Sequence, residues 1–310
     1  MPEHADPTRW RVGLVGYGEV GRILAEDLRA RGVVEILACD IKLETAAEGP
    51  LRDHARGLGI ALTTDHAALA ANSDLIVSAV TASQAVPVAR ACAGGIASGA
   101  WFLDFNSASP GAKMRAAEVL HAAGSRYVEG AVMTSVPPYR IRVPLLLGGP
   151  HAATLLPSLS ALGFAATVGS ETLGVVSATK MCRSVMIKGL EALVIESFTT
   201  ARAYGVEDQL LSSLAETFPG IDWEKQGSYF FQRVVQHGRR RAEEMREAAQ
   251  TVREVGLEPW SASGTACRQA WVAELVAAGE LGANDLAQET WRSHADAMLA
   301  GIQRPEPNAG

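Results

Sequence analysis

Near the start of the chain, Gly16-Tyr17-Gly18-Glu19-Val20-Gly21 constrains the fold more than any other feature. The pattern G-x-G-x-x-G is weak by itself. Here it follows a short apolar run, Arg11 to Val15, and opens a stretch of helical spacing, Glu19 to Arg31, in which Val20, Ile23, Leu24 and Leu28 share one face. Strand, glycine turn and helix in that order are the context in which the motif binds a dinucleotide. Gly16 permits the tight turn, Gly18 lets the backbone approach a pyrophosphate, and Gly21 allows close packing of helix on strand. The helix start offers free N–H groups and a positive dipole end. A second apolar run, Val34 to Cys39, ends at Asp40, about 20 residues past the glycines, where an acidic side chain accepts hydrogen bonds from ribose hydroxyls. Its charge opposes a 2′-phosphate, and Ile41 and Lys42 follow rather than an arginine, so NAD is expected over NADP. The bland alternatives are a glycine turn without a ligand and a strand-end turn at Asp40.

Apolar runs and helical stretches then alternate. Ile60 to Thr63, Leu75 to Val80, Trp101 to Phe105, Arg126 to Val132 and Pro144 to Leu147 read as strands, the last two separated by a Pro-Pro turn. Asp65 can cap a helix through Ala71, and Pro87 to Ala93 and Gly111 to Ala123 also read as helices. This is the pattern of a parallel sheet wrapped by helices. After about Val168 strand-like runs disappear. Thr172 to Ala203, Glu207 to Thr217, Trp223 to Ala249, Ser261 to Ala278 and Asp285 to Gly301 read as helical. The expected fold is α/β. A Rossmann-type doubly wound domain spans residues 1–168 and an all-α domain residues 169–310, with a long interdomain helix over about 172–203.

Composition narrows the partners. A formal charge of -6 gives no whole-molecule attraction for nucleic acid or an anionic membrane. The four cysteines lie far apart with no C-x-x-C pair, which argues against a zinc ribbon, a redox pair and a disulfide framework. Reduced thiols in a cytoplasmic protein without a metal are expected. Met1 to Trp10 is polar, and no segment reaches the ~18 apolar residues of a membrane span.

Strand ends line the ligand crevice of such a sheet. Val80 and Thr81 close one strand, and Asp104-Phe105-Asn106-Ser107-Ala108-Ser109-Pro110 closes another. Asn106 and Ser107 are thereby placed toward a nicotinamide, while Ser109 before Pro110 has the form of a helix cap. Within the long apolar helix, Lys180, Ser184 and Lys188 recur at i, i+4, i+8, with Arg183 and Glu191 beside them. A charged stripe on a helix apolar nearly all round must face a cleft or partners. Lysine suits proton transfer because partial burial lowers its pKa. His237-Gly238-Arg239-Arg240-Arg241, followed by Glu243, Glu244 and Glu247, reads first as a solvated face with i, i+4 pairs. Trp271, Leu275 and Trp291 are expected to be exposed and to supply a two-fold interface.

On Gly16 to Gly21, Asp104 to Pro110, Glu129 to Gly149 and Gly174 through Lys180, the sequence resembles the β-hydroxyacid dehydrogenase superfamily, which includes 3-hydroxyisobutyrate and 6-phosphogluconate dehydrogenases. It looks nearest to a 6-phosphogluconate-dehydrogenase-like branch with a distinctive C-terminal domain. The resemblance implies a Rossmann domain followed by an all-helical one, a dimer or larger homo-oligomer, and oxidation of a 3-hydroxy acid with NAD or NADP, in some members followed by decarboxylation. It implies that Lys180 is the acid/base. Two departures stand out. Ser184, and Arg183 beside it, replace asparagines usual in the family, and Met133, Thr134 and Ser135 replace a serine-glycine-glycine loop. The expected reaction is hydride transfer from C3 of a small hydroxy acid, with Lys180 and Ser184 as the catalytic pair. Asn106, Met133, Thr134, Ser135, Arg183, His237 and Arg240 are the expected substrate residues, Arg183 clamping a carboxylate as a guanidinium does. Imine or ketone reduction on the same scaffold, or nucleotide binding without turnover, are the alternatives.

Overall fold

Apolar runs ended by glycines become strands in the computed structural model, which describes residues 6–281 and 290–302. The strands are β1 (Val12–Val15), β2 (Ile36–Cys39), β3 (Ala61–Thr63), β4 (Leu75–Ser78), β5 (Trp101–Asp104), β6 (Arg126–Val132), β7 (Leu145–Gly148) and β8 (Ala166–Ser170). They form one sheet in the order β3-β2-β1-β4-β5-β6-β7-β8. From β3 to β6 every neighbouring pair is parallel. The order reverses between β1 and β4, which opens a crevice at their carboxyl ends.

The helices of this part are α1 (Glu19–Ala30), α2 (Glu48–Gly57), α3 (His66–Ala71), α4 (Ala85–Ala93), α5 (Pro110–Ala122), α6 (Val136–Tyr139) and α7 (Ala152–Ala161). Alternate strand residues feed two cores. Val12, Leu14, Leu75, Val77, Trp101 and Leu103 pack with Leu24 and Leu28 of α1 and Leu155 and Leu159 of α7. Val15, Ile76 and Phe102 pack with Leu69 of α3, Val88 and Cys92 of α4 and Leu120 of α5. That period of two, with helices on each face, makes the sheet doubly wound.

Three features differ from the sequence expectation. First, β7 runs antiparallel to β6, and β8 runs parallel to β7. The Pro-Pro segment expected as a turn is α6 followed by a 3-10 turn, Arg140–Arg142. A connection with no packing helix favours an antiparallel return. Second, α2 and α7 were not read as helices. Gly49-Pro50 sits in the first turn of α2 and Pro157 inside α7, and both residue types weaken a helical pattern. Third, β8 was missed because Thr167, Val168 and Gly169 are exposed on an edge strand, so no apolar run marks it.

By contact the chain divides into two compact units, Met1–Met181 and Cys182–Gly310. Helix α8 (Val175–Tyr204) is a single helix of 30 residues. The second unit continues with α9 (Glu207–Thr217), α10 (Trp223–Glu254), α11 (Trp260–Ala277) and α12 (Trp291–Ile302). The start of the helix expected from Asp285 lies outside the described residues. The core of this unit joins Ile195, Phe198, Phe231, Val234, Val272, Trp291 and Met298. Trp291 is therefore buried within its own chain, and Trp271 and Leu275 are half-buried against the same core, so the expected exposed interface is corrected. Arg241, expected on a solvated face, is likewise buried and ion-paired with the buried Glu191. Cys39 and Cys92 are buried and their thiols pushed up to about 11 and about 12, first by burial, whereas Cys182 and Cys267 are exposed. No helix among the described residues is long and apolar enough to cross a membrane.

Candidate functional site

The turn after β1 needs its glycines for separate reasons. Gly16 has φ +91°, and a Cβ there would lie 2.4 Å from the Ala79 carbonyl oxygen. A Cβ on Gly21 would lie 2.0 Å from the Gly16 carbonyl oxygen. Beside Gly18 a Cβ would meet nothing within 4 Å, so this backbone faces open space at the helix start. Gly16 and Gly21 thus close the turn, and Gly18 leaves a cradle beside the free N–H groups of α1. Glu19 is exposed and Val20 half-buried, both in the first turn of α1. The Tyr17 side chain is buried in the core, and its hydroxyl lies 2.9 Å from Nδ1 of His54. Only its backbone borders the cradle. The Tyr17 N–H donates to Oδ2 of Asp40 at 2.8 Å, and the Lys42 N–H donates to Oδ1 at 2.8 Å. Asp40 therefore ties the glycine turn to the end of β2, and a carboxylate has further lone pairs to offer beyond those two bonds.

The ends of β4 and β5 are joined by Asn106. Its Oδ1 accepts from the Val80 N–H at 2.7 Å, its Nδ2 donates to Ser78 Oγ at 3.0 Å, and its N–H donates to Asp104 Oδ1 at 2.8 Å. The amide is buried and spent within the protein, so it shapes the crevice wall through Val80, beside which Thr81 is exposed. Asp104 is the hub of this arrangement. It also meets Lys113 Nζ at 2.9 Å and accepts from the Tyr127 hydroxyl at 2.8 Å. Lys113 is 1% exposed and also donates to the carbonyls of Asp104 (2.9 Å) and Gly130 (3.4 Å), so its three protons have partners. Burial, then the Asp104 charge, raises the Tyr127 pKa well above the usual range and keeps its hydroxyl protonated. Burying each ion costs several kcal/mol, while hydrogen bonds to charged groups return about 1.5–3 kcal/mol apiece, so only a fully partnered hub is tolerable here.

Next to the hub, Ser107 Oγ accepts from Lys180 Nζ at 2.6 Å. This brings the expected lysine onto the end of β5. The start of α8 is held by Glu129 of β6. Its Oε2 accepts from the Gly174 N–H at 2.7 Å, and its Oε1 from the Ser177 N–H at 2.8 Å and from the Ser177 hydroxyl. Met133 and Ser135 are half-buried and Thr134 is exposed, just beyond β6 on the same edge of the sheet.

In the helical unit, the Ser184 hydroxyl accepts from Lys188 Nζ at 3.1 Å, and Lys188 also pairs with Glu244 at 2.9 Å. The hydroxyl on Lys180 is thus Ser107 rather than Ser184. Arg183 is exposed, His237 is half-buried, and Arg240 is exposed and paired with Glu244 at 3.1 Å. Sequence reasoning gave no role to Lys113, Asp104 or Glu129. The available signal was an ionisable residue inside an otherwise apolar strand or helix, which must be partnered if buried.

Known proteins resemble this chain in sequence and in fold. Residues 11–104 match the family described as NADP oxidoreductase coenzyme F420-dependent, and residues 201–272 match a domain of unknown function, DUF1932. The chain is 35% identical to a conserved hypothetical protein from Sinorhizobium meliloti 1021, with 94% of this chain and 96% of that one covered and a TM-score of 0.75. It is 28% identical to the conserved protein MTH1747 of unknown function, described as structurally similar to 3-hydroxyacid dehydrogenases, with 87% and 99% covered and a TM-score of 0.67. The chain belongs to one family with the Sinorhizobium meliloti protein, and its fold is that of the 3-hydroxyacid dehydrogenases. The Mycobacterium tuberculosis 3-hydroxyisobutyrate dehydrogenase shares the fold at 15% identity, with 94% and 99% covered and a TM-score of 0.68. This is a pyridine-nucleotide-binding fold of the oxidoreductase type. The open cradle at Gly18 and the fixed carboxylate of Asp40 fit such a nucleotide.

The glycines separate stability from binding. Gly18→Ala is expected to leave the melting temperature within about 2 °C and to weaken dinucleotide binding about tenfold or more, since a methyl group enters the cradle. Gly21→Ala is expected to lower the melting temperature by several degrees because its methyl meets backbone. Thermal melts and calorimetric titration with NAD check both; a Gly18→Ala chain that binds NAD as wild type contradicts the placement of the pyrophosphate.

Proposed function

We propose that the chain transfers hydride between NAD and C3 of a small hydroxy acid, with Lys180 as general acid/base. The observation that supports this most is the Lys180 amine fixed on Ser107 at the end of β5, in the same unit as the glycine cradle. NAD would lie with its pyrophosphate on Gly16 to Gly21, its ribose hydroxyls on Asp40 and its nicotinamide toward Val80, Thr81 and Ser107, and it supplies the hydride acceptor. Lys180 Nζ, in its neutral form, takes the substrate hydroxyl proton, and Ser107 Oγ sets the direction of that amine. Ser184, one turn beyond Lys180 on α8, orients the hydroxyl. Met133, Thr134 and Ser135 border the substrate from the β6 edge.

The acid group falls to Arg183. Arg241 is committed to Glu191 and Arg240 to Glu244, whereas Arg183 forms no ion pair among the described residues. A homodimer or larger assembly is carried by the family resemblance, since Trp291 is buried; light scattering at micromolar concentration should give at least a dimer, and a monomer removes that part of the proposal.

Asp40 sets the cofactor preference. Its carboxylate cannot swing away without releasing the Tyr17 and Lys42 N–H groups. NAD is expected to bind at least about tenfold tighter than NADP, a difference of ~1.4 kcal/mol. Equal or tighter binding of NADP overturns the assignment.

Lys180→Met keeps the apolar stem and removes the proton carrier. General acid–base catalysis contributes ~10²–10⁴-fold, so turnover on a panel of 3-hydroxy acids, read as NADH formation, should fall at least about a hundredfold while NAD binding holds. A variant that keeps more than about a tenth of wild-type turnover contradicts the mechanism. Turnover confined to ketones or to ketones with amines would replace the hydroxy acid with those substrates.

A further inference from the structure

Glu129 stands in the middle of a buried strand, Tyr127-Val128-Glu129-Gly130-Ala131, and is 0% exposed. Among the described residues no lysine or arginine forms an ion pair with this carboxylate, which is satisfied by helix donors instead. The Gly174 N–H, the Ser177 N–H and the Ser177 hydroxyl converge on its two oxygens. Such a carboxylate caps the helix from another element and answers the positive end of the α8 dipole.

The surroundings are shaped for this contact. Gly148 pairs with Glu129 across β6 and β7, and the β7–β8 register shifts between Leu147 and Gly148. A Cβ on Gly148 would lie 2.8 Å from Glu129 Oε2 and 2.8 Å from Val176 Cγ2, so carboxylate and first helical turn meet where a side chain is missing. Gly174, at φ +87°, turns the chain into the helix and presents its N–H. Six residues after Gly174, Lys180 reaches Ser107 at 2.6 Å. Ser107 belongs to the segment after β5, and β5 pairs with β6 through Asp104 and Glu129 themselves. The helix carrying the lysine and the hydroxyl that receives it are thus referenced to the same strand pair.

We propose that Glu129 is the positioning residue for Lys180: its buried carboxylate fastens the first turn of α8 to β6 and so fixes the Lys180 amine on Ser107. The proposal rests on Lys180 being the acid/base for its functional meaning, but its geometry is testable without a substrate. Glutamate suits the place because all three converging groups are donors. Glutamine keeps the size yet turns an NH2 toward one of them, and aspartate is a methylene too short from a fixed strand.

The test is competitive amine labelling of the full chain with acetic anhydride in the presence of NAD, read lysine by lysine by mass spectrometry. Exposed Lys225 is the reference and buried Lys113 the sentinel of global unfolding. Glu129→Gln should raise Lys180 labelling relative to Lys225 at least about fivefold with Lys113 still protected. Ser107→Ala should raise it similarly, and the double variant no further, because both act on one contact. Unchanged Lys180 labelling in either single variant, a multiplicative increase in the double, or Lys180 and Lys113 rising together each overturns the proposal. A labelling result as expected with no loss of turnover in Lys180→Met would instead leave Glu129 in place and remove the catalytic reading.

Discussion

An ionised group taken out of water has to be met by fixed partners, and the crevice edge of this sheet depends on that constraint. Asp104 at the end of β5, Glu129 in the middle of β6 and Lys113 of α5 beside them are all buried. None tolerates a loose neighbour. Asp104 and Lys113 hold the backbone that carries Asn106 and Ser107, and Glu129 holds the start of the helix that carries Lys180. Partnered charges of this kind add little net stability, because desolvation consumes most of what the bonds return. What they supply is a single arrangement. A reacting amine misplaced by an ångström loses much of its effect, so rigidity at this edge has chemical value.

The nucleotide end of the crevice uses the same economy with backbone groups. Asp40 accepts from Tyr17 and Lys42, which ties the glycine turn to the second strand before any ligand arrives. Tyr17, through its hydroxyl, reaches His54, and His54 Nε2 lies 2.9 Å from Glu26 on α1. Arg140 draws the Glu26 pKa below its usual value and also bonds Asp27, so α1 is anchored to the turn after α6 as well as to the sheet. Both ends of the crevice are therefore preformed, which reduces the ordering cost of binding.

How legible this was in the sequence depends on whether a residue speaks through local pattern. The glycine turn, Asp40 and the Asp65 cap of α3 are local, and the structure has each element where the spacing places it. Helix α9 carries enough period to fix both its ends, Glu207–Thr217. Edge strand β8 and helices α2 and α7 carry weak or contradictory local signals and were invisible. Trp291 is the clearest non-local case: a large aromatic near the chain end reads as interface, yet it fills its own core against Phe198 at 4.9 Å between ring centroids. The partner of Lys180 was non-local too. Helical spacing offered Ser184, whereas the hydroxyl comes from Ser107, 73 residues earlier in the chain. No period in a sequence reports a contact across that separation.

The account stands on Lys180 and Ser107 meeting where a nicotinamide would lie. A crystal structure of the chain with NAD tests this most directly. The pyrophosphate should rest on Gly18, the adenosine ribose on Asp40, and the reactive face of the nicotinamide beside Ser107 with Lys180 still on that hydroxyl. A nicotinamide bound away from Ser107, or a Lys180 side chain turned to solvent beside a correctly bound cofactor, would contradict it.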